Sequence, residues 1–272
     1  MRKNNLISNL ILLILMCSAI IYAEDWQTIS KGLEYGKFKL AVPSSSGNST
    51  VDIVRINPDQ YDFELLLASE HENKKRTIET WADDFELIGG INAGMFQQDY
   101  LTNTGYLVNY QHSNNPSRHS SYKMYFACNP KEKGLPEAQM IDWRQPKASE
   151  LCEKYHSVVQ GIRMIATGGR NVWSKQADKW SEAALGQDKD GNILLIFCSS
   201  PYTMHDLINL LLQLPLNLDK MMHLEGGPEA SCYIETKEFH LRCVGTFESS
   251  FFDNEDQQSF WQIPNVIGFK IK

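Results

Sequence analysis

The sequence has 272 residues and a formal net charge of −7, from 33 acidic and 26 basic side chains. A chain of this length can bury one sizeable hydrophobic core. Its acidic balance, with no stripe of lysine and arginine, argues against nucleic acid as a partner, because phosphate backbones are bound by clustered basic side chains.

The N-terminus has the three parts of a secretory signal peptide. Arg2 and Lys3 form a basic start, residues 10–15 form an apolar run, and Ala23 ends a cleavage site. We therefore predict a signal peptide over residues 1–23 and a mature domain over 24–272, in the periplasm or secreted. The alternative is an uncleaved anchor, but the apolar run is short for a bilayer. No later segment is apolar enough to span one, so no stable membrane insertion is expected after cleavage.

Five cysteines remain in the mature chain, and an odd number leaves at least one thiol free. Cys198 lies in an apolar run and is predicted to be a buried, inert thiol. In an oxidising compartment two disulfides are possible, and both are hypotheses. One would join Cys232 to Cys243 across a predicted hairpin, and the other would join Cys128 to Cys152 around a longer loop.

The first half of the mature chain predicts an antiparallel sheet with one helix. Residues 51–56 alternate strictly between apolar and polar side chains, and a turn at 57–59 leads to a partner strand at 63–67. Thr77 can cap a helix that ends near Phe85, because its apolar residues recur at helical spacing. Further strands are predicted at 38–42, 87–91, 105–108 and 122–127.

The second half predicts more strands and the clearest helix. That helix covers 203–214, where Thr203 and Asp206 form a capping pattern and Pro215 ends the apolar periodicity. The remaining strands are predicted at 158–165, 183–186, 192–198, 220–224, 232–235 and 266–271. Many strands with two good helices predict a single α+β domain, with a mixed or antiparallel sheet and a few packed helices.

A carboxylate followed by two glycines, Glu225-Gly226-Gly227, comes directly after the predicted strand 220–224. Glycine reaches positive φ and has no Cβ, so backbone N–H groups in such a turn can approach an anionic ligand closely. A β-turn that only joins two strands is the alternative. His223 is two residues before Glu225 and on a regular strand would share its face, so it could orient the carboxylate or could have a separate core role.

Two further polar sets stand at predicted strand ends: Asn92 with Gly94, and Gln160 with Arg163. Alone, each has an ordinary explanation, as a turn residue or as a cation on a surface strand. Together with Glu225 they supply a carboxylate, amides and a guanidinium, which suit acid–base chemistry on a polar or anionic substrate. The sequence contains no serine-hydrolase motif, phosphate loop or zinc-binding spacing, so we expect neither a metal nor a cofactor.

The order of these motifs resembles the phosphodiester glycosidase family, over a stretch from about residue 53 to residue 272. The resemblance is carried by Ile91-Asn92-Ala93-Gly94-Met95-Phe96, by Gly105, by Gln160-Gly161-Ile162-Arg163-Met164-Ile165, by Ala184-Leu185-Gly186 with Asp190-Gly191, and by Leu224-Glu225-Gly226-Gly227-Pro228-Glu229-Ala230-Ser231. It implies an α+β hydrolase that cleaves a sugar-1-phosphodiester, with a carbohydrate or sugar-phosphate as its substrate.

The resemblance also assigns roles to individual residues. Asn92, Gly94 and Phe96 match the first family motif, Asn-Gly-Gly-x-Phe. In the last motif, Asp-Gly-Gly-Gly-Ser, the aspartate belongs to the active site, and this chain has Glu225 there, Pro228-Glu229 in place of the third glycine and Ser231 further on. A second departure is Trp180-Ser181-Glu182-Ala183, where many relatives carry Arg-Thr.

These assignments predict the following site. Glu225 and Asn92 are catalytic, and Glu225 acts as nucleophile or general acid–base, assisted by Glu229 or Glu182 because glycoside cleavage normally uses a carboxyl pair. The substrate is bound by Gly94, Phe96, Gln160, Arg163, Gly226, Gly227, Glu229 and Ser231. We expect a secreted hydrolase acting on an exopolysaccharide or cell-envelope glycan. The alternative is a non-catalytic carbohydrate-binding or polysaccharide-assembly protein.

Overall fold

The computed structural model describes residues 26–249, 252–254 and 259–272, so the predicted signal peptide lies outside the described residues. Within these ranges the chain forms 19 strands and three α-helices, α1 (Ile78–Asp84), α2 (Ala148–Glu153) and α3 (Met204–Leu211). The predicted α+β class is therefore wrong, and the fold is mainly β. The helices are too short to form a layer of their own, and each covers part of a sheet.

The larger sheet has twelve strands. In spatial order its main path is β1 (Gln27–Ser30), β2 (Leu33–Lys39), β3 (Thr50–Ile56), β13 (Ile193–Tyr202), β12 (Trp180–Asp188), β14 (Leu218–Gly226), β10 (Tyr155–Ala166), β6 (Leu107–Asn109) and β7 (His112–Asn115). Three more strands attach to it: β8 (Met124–Pro130) and β11 (Arg170–Asn171) pair with β10, and β9 (Ala138–Asp142) pairs with β8.

The smaller sheet has five strands, in the order β16 (His240–Val244), β15 (Ser231–Glu235), β5 (Gly89–Asn92), β19 (Asn265–Ile271) and β4 (Tyr61–Leu67). A separate pair is formed by β17 (Phe247–Ser249) and β18 (Phe252–Asn254). All strand pairs in the described residues are antiparallel.

One core lies between the two sheets, where alternate side chains of both meet. Phe63 of the smaller sheet packs edge-on against Phe126 of the larger one, with ring centroids 5.6 Å apart. Leu185, Met222 and Leu224 contribute from β12 and β14. The strict alternation of a strand explains why neighbouring residues such as Ala184 and Met221 belong instead to a cluster on the outer face.

The three helices cover outer faces of the sheets. Helix α3 lies over the outer cluster that contains Ala184 and Met221, and α1 packs on the outer face of the smaller sheet. Helix α2 packs beside β8, β9 and β10. As predicted, Thr203 caps α3 by accepting a hydrogen bond from the Asp206 N–H at 3.2 Å, and Thr77 caps α1 in the same way. Each helix has one buried face, and the apolar side chains on that face pack on the sheet beneath it.

The five described cysteines are buried and carry free thiols, so the two predicted disulfides are absent from the structure. Cys198 is fully buried, in agreement with its predicted role. Cys232 and Cys243 are directly opposite each other in the β15–β16 ladder, as the predicted hairpin requires. In the described part of the chain, no helix has the length and apolar character needed to cross a membrane.

Candidate active site

Glu225 lies at the end of β14, where the strand opens into the Gly226–Gly227 turn. Its side chain is half-buried, and its Oε1 accepts a hydrogen bond from the Gly226 N–H at 3.1 Å. Burial raises the pKa of Glu225 to about 7, against the lowering effect of His223 and of the Gly226 N–H. The charges of Glu229 and Glu182 raise it further. A carboxyl group with this pKa can exchange a proton near neutral pH.

The turn after Glu225 is held in one conformation by close backbone contacts. Gly227 has φ of 69°, in the region that favours glycine, and its carbonyl accepts a hydrogen bond from the Ser181 hydroxyl at 3.2 Å. A Cβ on Gly245 would lie 1.9 Å from that carbonyl oxygen, so Gly245 can only be glycine. A Cβ on Gly226 would lie 2.4 Å from the Trp180 ring, which packs over the turn.

Asn92, at the end of β5, fixes the far side of the same turn. Its Nδ2 donates to the Glu229 carbonyl at 3.0 Å, and its Oδ1 accepts from the Ser231 N–H at 2.7 Å. The Ser231 hydroxyl donates to the Glu229 carbonyl at 3.0 Å. Asn92 and Ser231 are buried, so these bonds are shielded from water. Both residues therefore position the Glu225–Glu229 segment from behind, which joins the first and last motifs of the sequence in space.

A buried histidine–carboxylate pair lies next to Glu225. The Nδ1 of His223 is 2.7 and 2.9 Å from the two oxygens of Glu182, and the Trp180 indole donates to Glu182 at 3.0 Å. Desolvation raises the pKa of Glu182. Burial lowers the pKa of His223, but the charge and hydrogen bond of Glu182 outweigh this and raise it overall. Trp173 covers the imidazole edge-on, with centroids 6.0 Å apart.

A β-bulge separates His223 from Glu225. In the β12–β14 ladder His223 is opposite Ala184, whereas Glu225 is opposite Ala183, so Leu224 is an extra residue. Ala184 belongs to the outer cluster and Ala183 to the core between the sheets. Because paired residues share a face, the bulge turns Glu225 toward the end of the inter-sheet core and leaves His223 on the outer face. The expectation that the two share a face, made for a regular strand, is therefore wrong.

Tyr122 is a further aromatic side chain near Glu225. Burial and then the Glu225 charge raise the pKa of its phenol. Gln160 fixes this part of the chain: its Nε2 donates to the carbonyls of His119 and Tyr122 at 2.9 and 2.8 Å, and its Oε1 accepts from the N–H groups of Tyr106 and His119 at 2.9 Å each. The substrate contact predicted for Gln160 stays a prediction. In the structure, its side chain bonds four backbone groups and thereby positions Tyr122.

The structure does not bring the remaining predicted residues to Glu225. The Nη1 of Arg163 donates to both oxygens of Asp142, at 2.9 and 3.0 Å, and both side chains are buried. This guanidinium is therefore neutralised within the protein. Gly94 is packed against Asn103, and Phe96 forms a bridge with Asn103 and contacts Tyr100. Substrate contacts of Gly94, Phe96 and Arg163 stay predictions.

The arrangement can perform proton transfer beside a carboxylate-lined turn. Glu229 acts on Glu225 through its charge and is the second carboxylate with access to the turn, since Glu182 is already bound by His223 and Trp180. No group of three metal-binding side chains occurs in the ranges that the structure describes. The structure thus groups Glu225, Glu229 and the Gly226–Gly227 backbone in one turn, which Asn92 and Ser231 hold in place.

Two aromatic residues of this site were missed in the sequence. Tyr122 and Trp173 occur in segments that show only a strand pattern or a turn, and no short motif marks them. The pairing of Glu182 with His223 was also missed, because they are 41 residues apart and meet only through the β12–β14 ladder. The available signals were His223, a polar residue within the predicted strand 220–224, and Glu182, directly before the predicted strand 183–186.

Comparisons with known proteins identify a family and a fold for this chain. A family model described as phosphodiester glycosidase matches residues 85–270. The fold is similar to the catalytic domain of zebrafish N-acetylglucosamine-1-phosphodiester alpha-N-acetylglucosaminidase, auto-inhibited by its pro-peptide, with a TM-score of 0.62 and 13% identity over 90% of this chain and 86% of that one. It is also similar to a hypothetical protein from Synechocystis, with a TM-score of 0.61 and 14% identity over 91% of this chain and 64% of that one.

A search of curated protein sequences finds no significant match. At these identities the two solved structures support the fold alone. The family model covers more than half of the chain and includes Asn92, Glu182 and the Glu225–Ser231 turn. This chain therefore belongs to the phosphodiester glycosidase family of hydrolases.

Proposed function

We propose that the mature protein is a periplasmic or secreted hydrolase that cleaves a sugar-1-phosphodiester, or a related glycosidic bond, in an exopolysaccharide or cell-envelope glycan. The observation that carries this proposal is Glu225, a half-buried carboxyl whose pKa is raised to about 7, at a glycine turn. Family membership supplies the reaction class, and the signal-peptide pattern of residues 1–23 supports the location.

In the proposed reaction, ionised Glu225 acts at the anomeric carbon. Either it attacks the carbon directly and forms a glycosyl ester that water then hydrolyses, or it removes a proton from a water molecule that attacks the carbon. In both routes the bond between that carbon and the phosphate oxygen breaks. Phosphate leaves as a stable anion, so little proton donation to the leaving group is needed. Glu229 is the candidate for the second carboxyl role, and the N–H groups of the Gly226–Gly227 turn are candidates for contacts to substrate oxygens.

The test is turnover of a panel of sugar-1-phosphodiesters by the purified mature chain, measured as released sugar. Glu225→Gln should lower kcat/KM by about 10²–10⁴-fold, the usual contribution of a positioned acid–base group. Glu238→Gln, an exposed glutamate in the turn between β15 and β16, is the matched control and should leave turnover unchanged.

A Glu225→Gln protein with full activity would refute the assignment. Binding of glycans by the wild-type protein without any product would favour the alternative, a non-catalytic carbohydrate-binding protein.

A further inference from the structure

A second cavity of about 750 Å³ lies beside the β6–β7 hairpin, away from the Gly226–Gly227 turn. Its lining includes Ser69, Glu70, Tyr110, His112 and His156. His156 is four residues before Gln160 on β10, which corresponds to roughly 13 Å along an extended strand. The cavity is thus separate from the candidate active site but is built on the same strand.

Tyr110 has an unusual backbone conformation for an aromatic residue. Asn109 and His112 are register partners, so Tyr110 is the first residue of a two-residue hairpin turn, and its φ is 50°. Glycine, asparagine and aspartate are favoured at such positions, and other residues there are strained. The ring is 58% exposed, so core packing does not explain why tyrosine is present.

The exposed ring is nevertheless held in one orientation. It stacks on His156 with ring centroids 4.8 Å apart and an interplanar angle of 14°. The Tyr110 N–H also donates to the His156 carbonyl at 2.7 Å. The two contacts make Tyr110 a flat, preformed platform at the mouth of the cavity.

The polar groups of the cavity are held in place by hydrogen bonds to neighbouring side chains. The Nε2 of His112 is 2.8 Å from the Ser69 hydroxyl, which also accepts a hydrogen bond from Asn114 at 2.9 Å. The Glu70 carboxylate accepts from Asn109 at 2.9 Å, and Asn109 in turn accepts from the fully buried Ser157 at 2.6 Å. Side chains that are already ordered lose little entropy when a ligand binds, so this network favours recognition.

We propose that this cavity is a second saccharide-binding site, at which the apolar face of a sugar ring packs on Tyr110 and its hydroxyl groups contact Glu70 and His112. An aromatic face next to a carboxylate and an imidazole is complementary to a ligand that is apolar on one side and polyhydroxylated at its edge. The choice of a saccharide over another ligand rests on the proposed function.

Calorimetric titration of the Glu225→Gln protein tests the inference without turnover. The probes are glucose, mannose, galactose and N-acetylglucosamine, each as monosaccharide and as short oligomer. We expect at least one oligomer to bind, and Tyr110→Gly in the same background to weaken that binding about tenfold or more, since an aromatic contact contributes on the order of 1 kcal/mol beyond its buried area. Tyr110→Phe keeps the ring and should retain the affinity.

Thermal unfolding provides the folding control. Because glycine adopts positive φ without strain, Tyr110→Gly should melt at the same temperature as its parent or higher. Equal affinities of the Tyr110→Gly protein and its parent would overturn the inference, as would the absence of binding by every probe. Tyr110-dependent binding by a protein that hydrolyses no substrate would leave the second site standing and would refute the proposed function instead.

Discussion

Glu225 shows how one residue's surroundings set its chemistry. An exposed glutamate is ionised well below neutral pH, but burial moves the pKa of Glu225 to about 7. Glu182 is fully buried and bound by two donors, and Glu229 lies on the turn. Glu182, Glu225 and Glu229 are therefore the same residue type in three different environments. We assign the titrating role to Glu225 because it combines a raised pKa with partial exposure.

The pH profile should report this group. If ionised Glu225 is the reacting form, kcat/KM falls as pH decreases through about 7, because the folded protein then protonates it. Measurement of initial rates across pH 5–9 (about the range in which such groups titrate) should show one ionisation near neutrality. An identical profile in any residual activity of Glu225→Gln would assign the ionisation to another group.

The buried His223–Glu182 pair should be sensitive to loss of one partner. His223→Ala leaves a carboxylate in an apolar site, and we expect a loss of about 3–5 kcal/mol in the free energy of unfolding. The folded pKa of His223 is above its ordinary value of 6.5, so its stabilisation is present below that pH and is lost as pH rises through the folded pKa.

Urea denaturation near pH 6 would measure this difference. The matched control is His240→Ala, which removes the other histidine–glutamate pair, formed with Glu235 at an exposed site. Its cost should stay below about 1 kcal/mol. Equal losses of unfolding free energy in the two variants would show that burial does not determine how much the His223–Glu182 pair contributes to stability.

At the scale of single elements, the segment 106–122 depends on one glutamine of β10. Gln160→Ala removes four hydrogen bonds to backbone groups of that segment and leaves Tyr122 without its anchor. We expect a loss of about 2–6 kcal/mol in the free energy of unfolding, from about 0.5–1.5 kcal/mol for each of the four bonds. Hydrogen exchange should accelerate at the amides of Tyr106 and His119, while the amides of β12 keep their protection. Unchanged exchange at both amides would contradict the positioning role.

The sequence predicted individual elements better than it predicted their partners. The caps at Thr77 and Thr203 and the hairpin at 232–243 are local patterns, and the structure contains them. The predicted hairpin at 51–67 is wrong, because β3 belongs to the larger sheet and β4 to the smaller one, where it pairs with β19. The segment 131–153 showed no clear period, yet it holds β9 and α2. Asp142 of β9 neutralises Arg163, a contact between strands that local periodicity does not reveal.

At the scale of the whole molecule, the fold class could not be obtained from the patterns. Two helices with good apolar faces suggested an α+β domain. Amphipathicity, however, predicts only that a helix has a buried face and not what that face packs against. Here α1 and α3 cover two different sheets on opposite sides of a β core. The motif order was more informative about spatial neighbours, because Asn92 of the first motif contacts Glu229 and Ser231 of the last one.

The inter-sheet core should make the mature domain unfold as one unit. Phe63 contacts Phe126 in the other sheet and Phe269 in its own, so Phe63→Ala should cost about 3–5 kcal/mol. Calorimetry should show a single, lowered transition, because both sheets lose contacts together. Two separate transitions would contradict a single domain over 24–272. Val42→Ala, at an exposed apolar position, is the control and should change stability by less than about 0.5 kcal/mol.

The extra residue at Leu224 has one more consequence. His223 and Glu225 lie on different faces of the sheet only because β14 has one more residue than β12 at that point. Regular pairing, with Leu224 opposite Ala183, would instead place Glu225 opposite Glu182 and carry it, unaltered in identity, onto the outer face. The site is thus encoded by strand register as well as by residue type, and loss of the bulge should abolish activity as completely as replacement of Glu225.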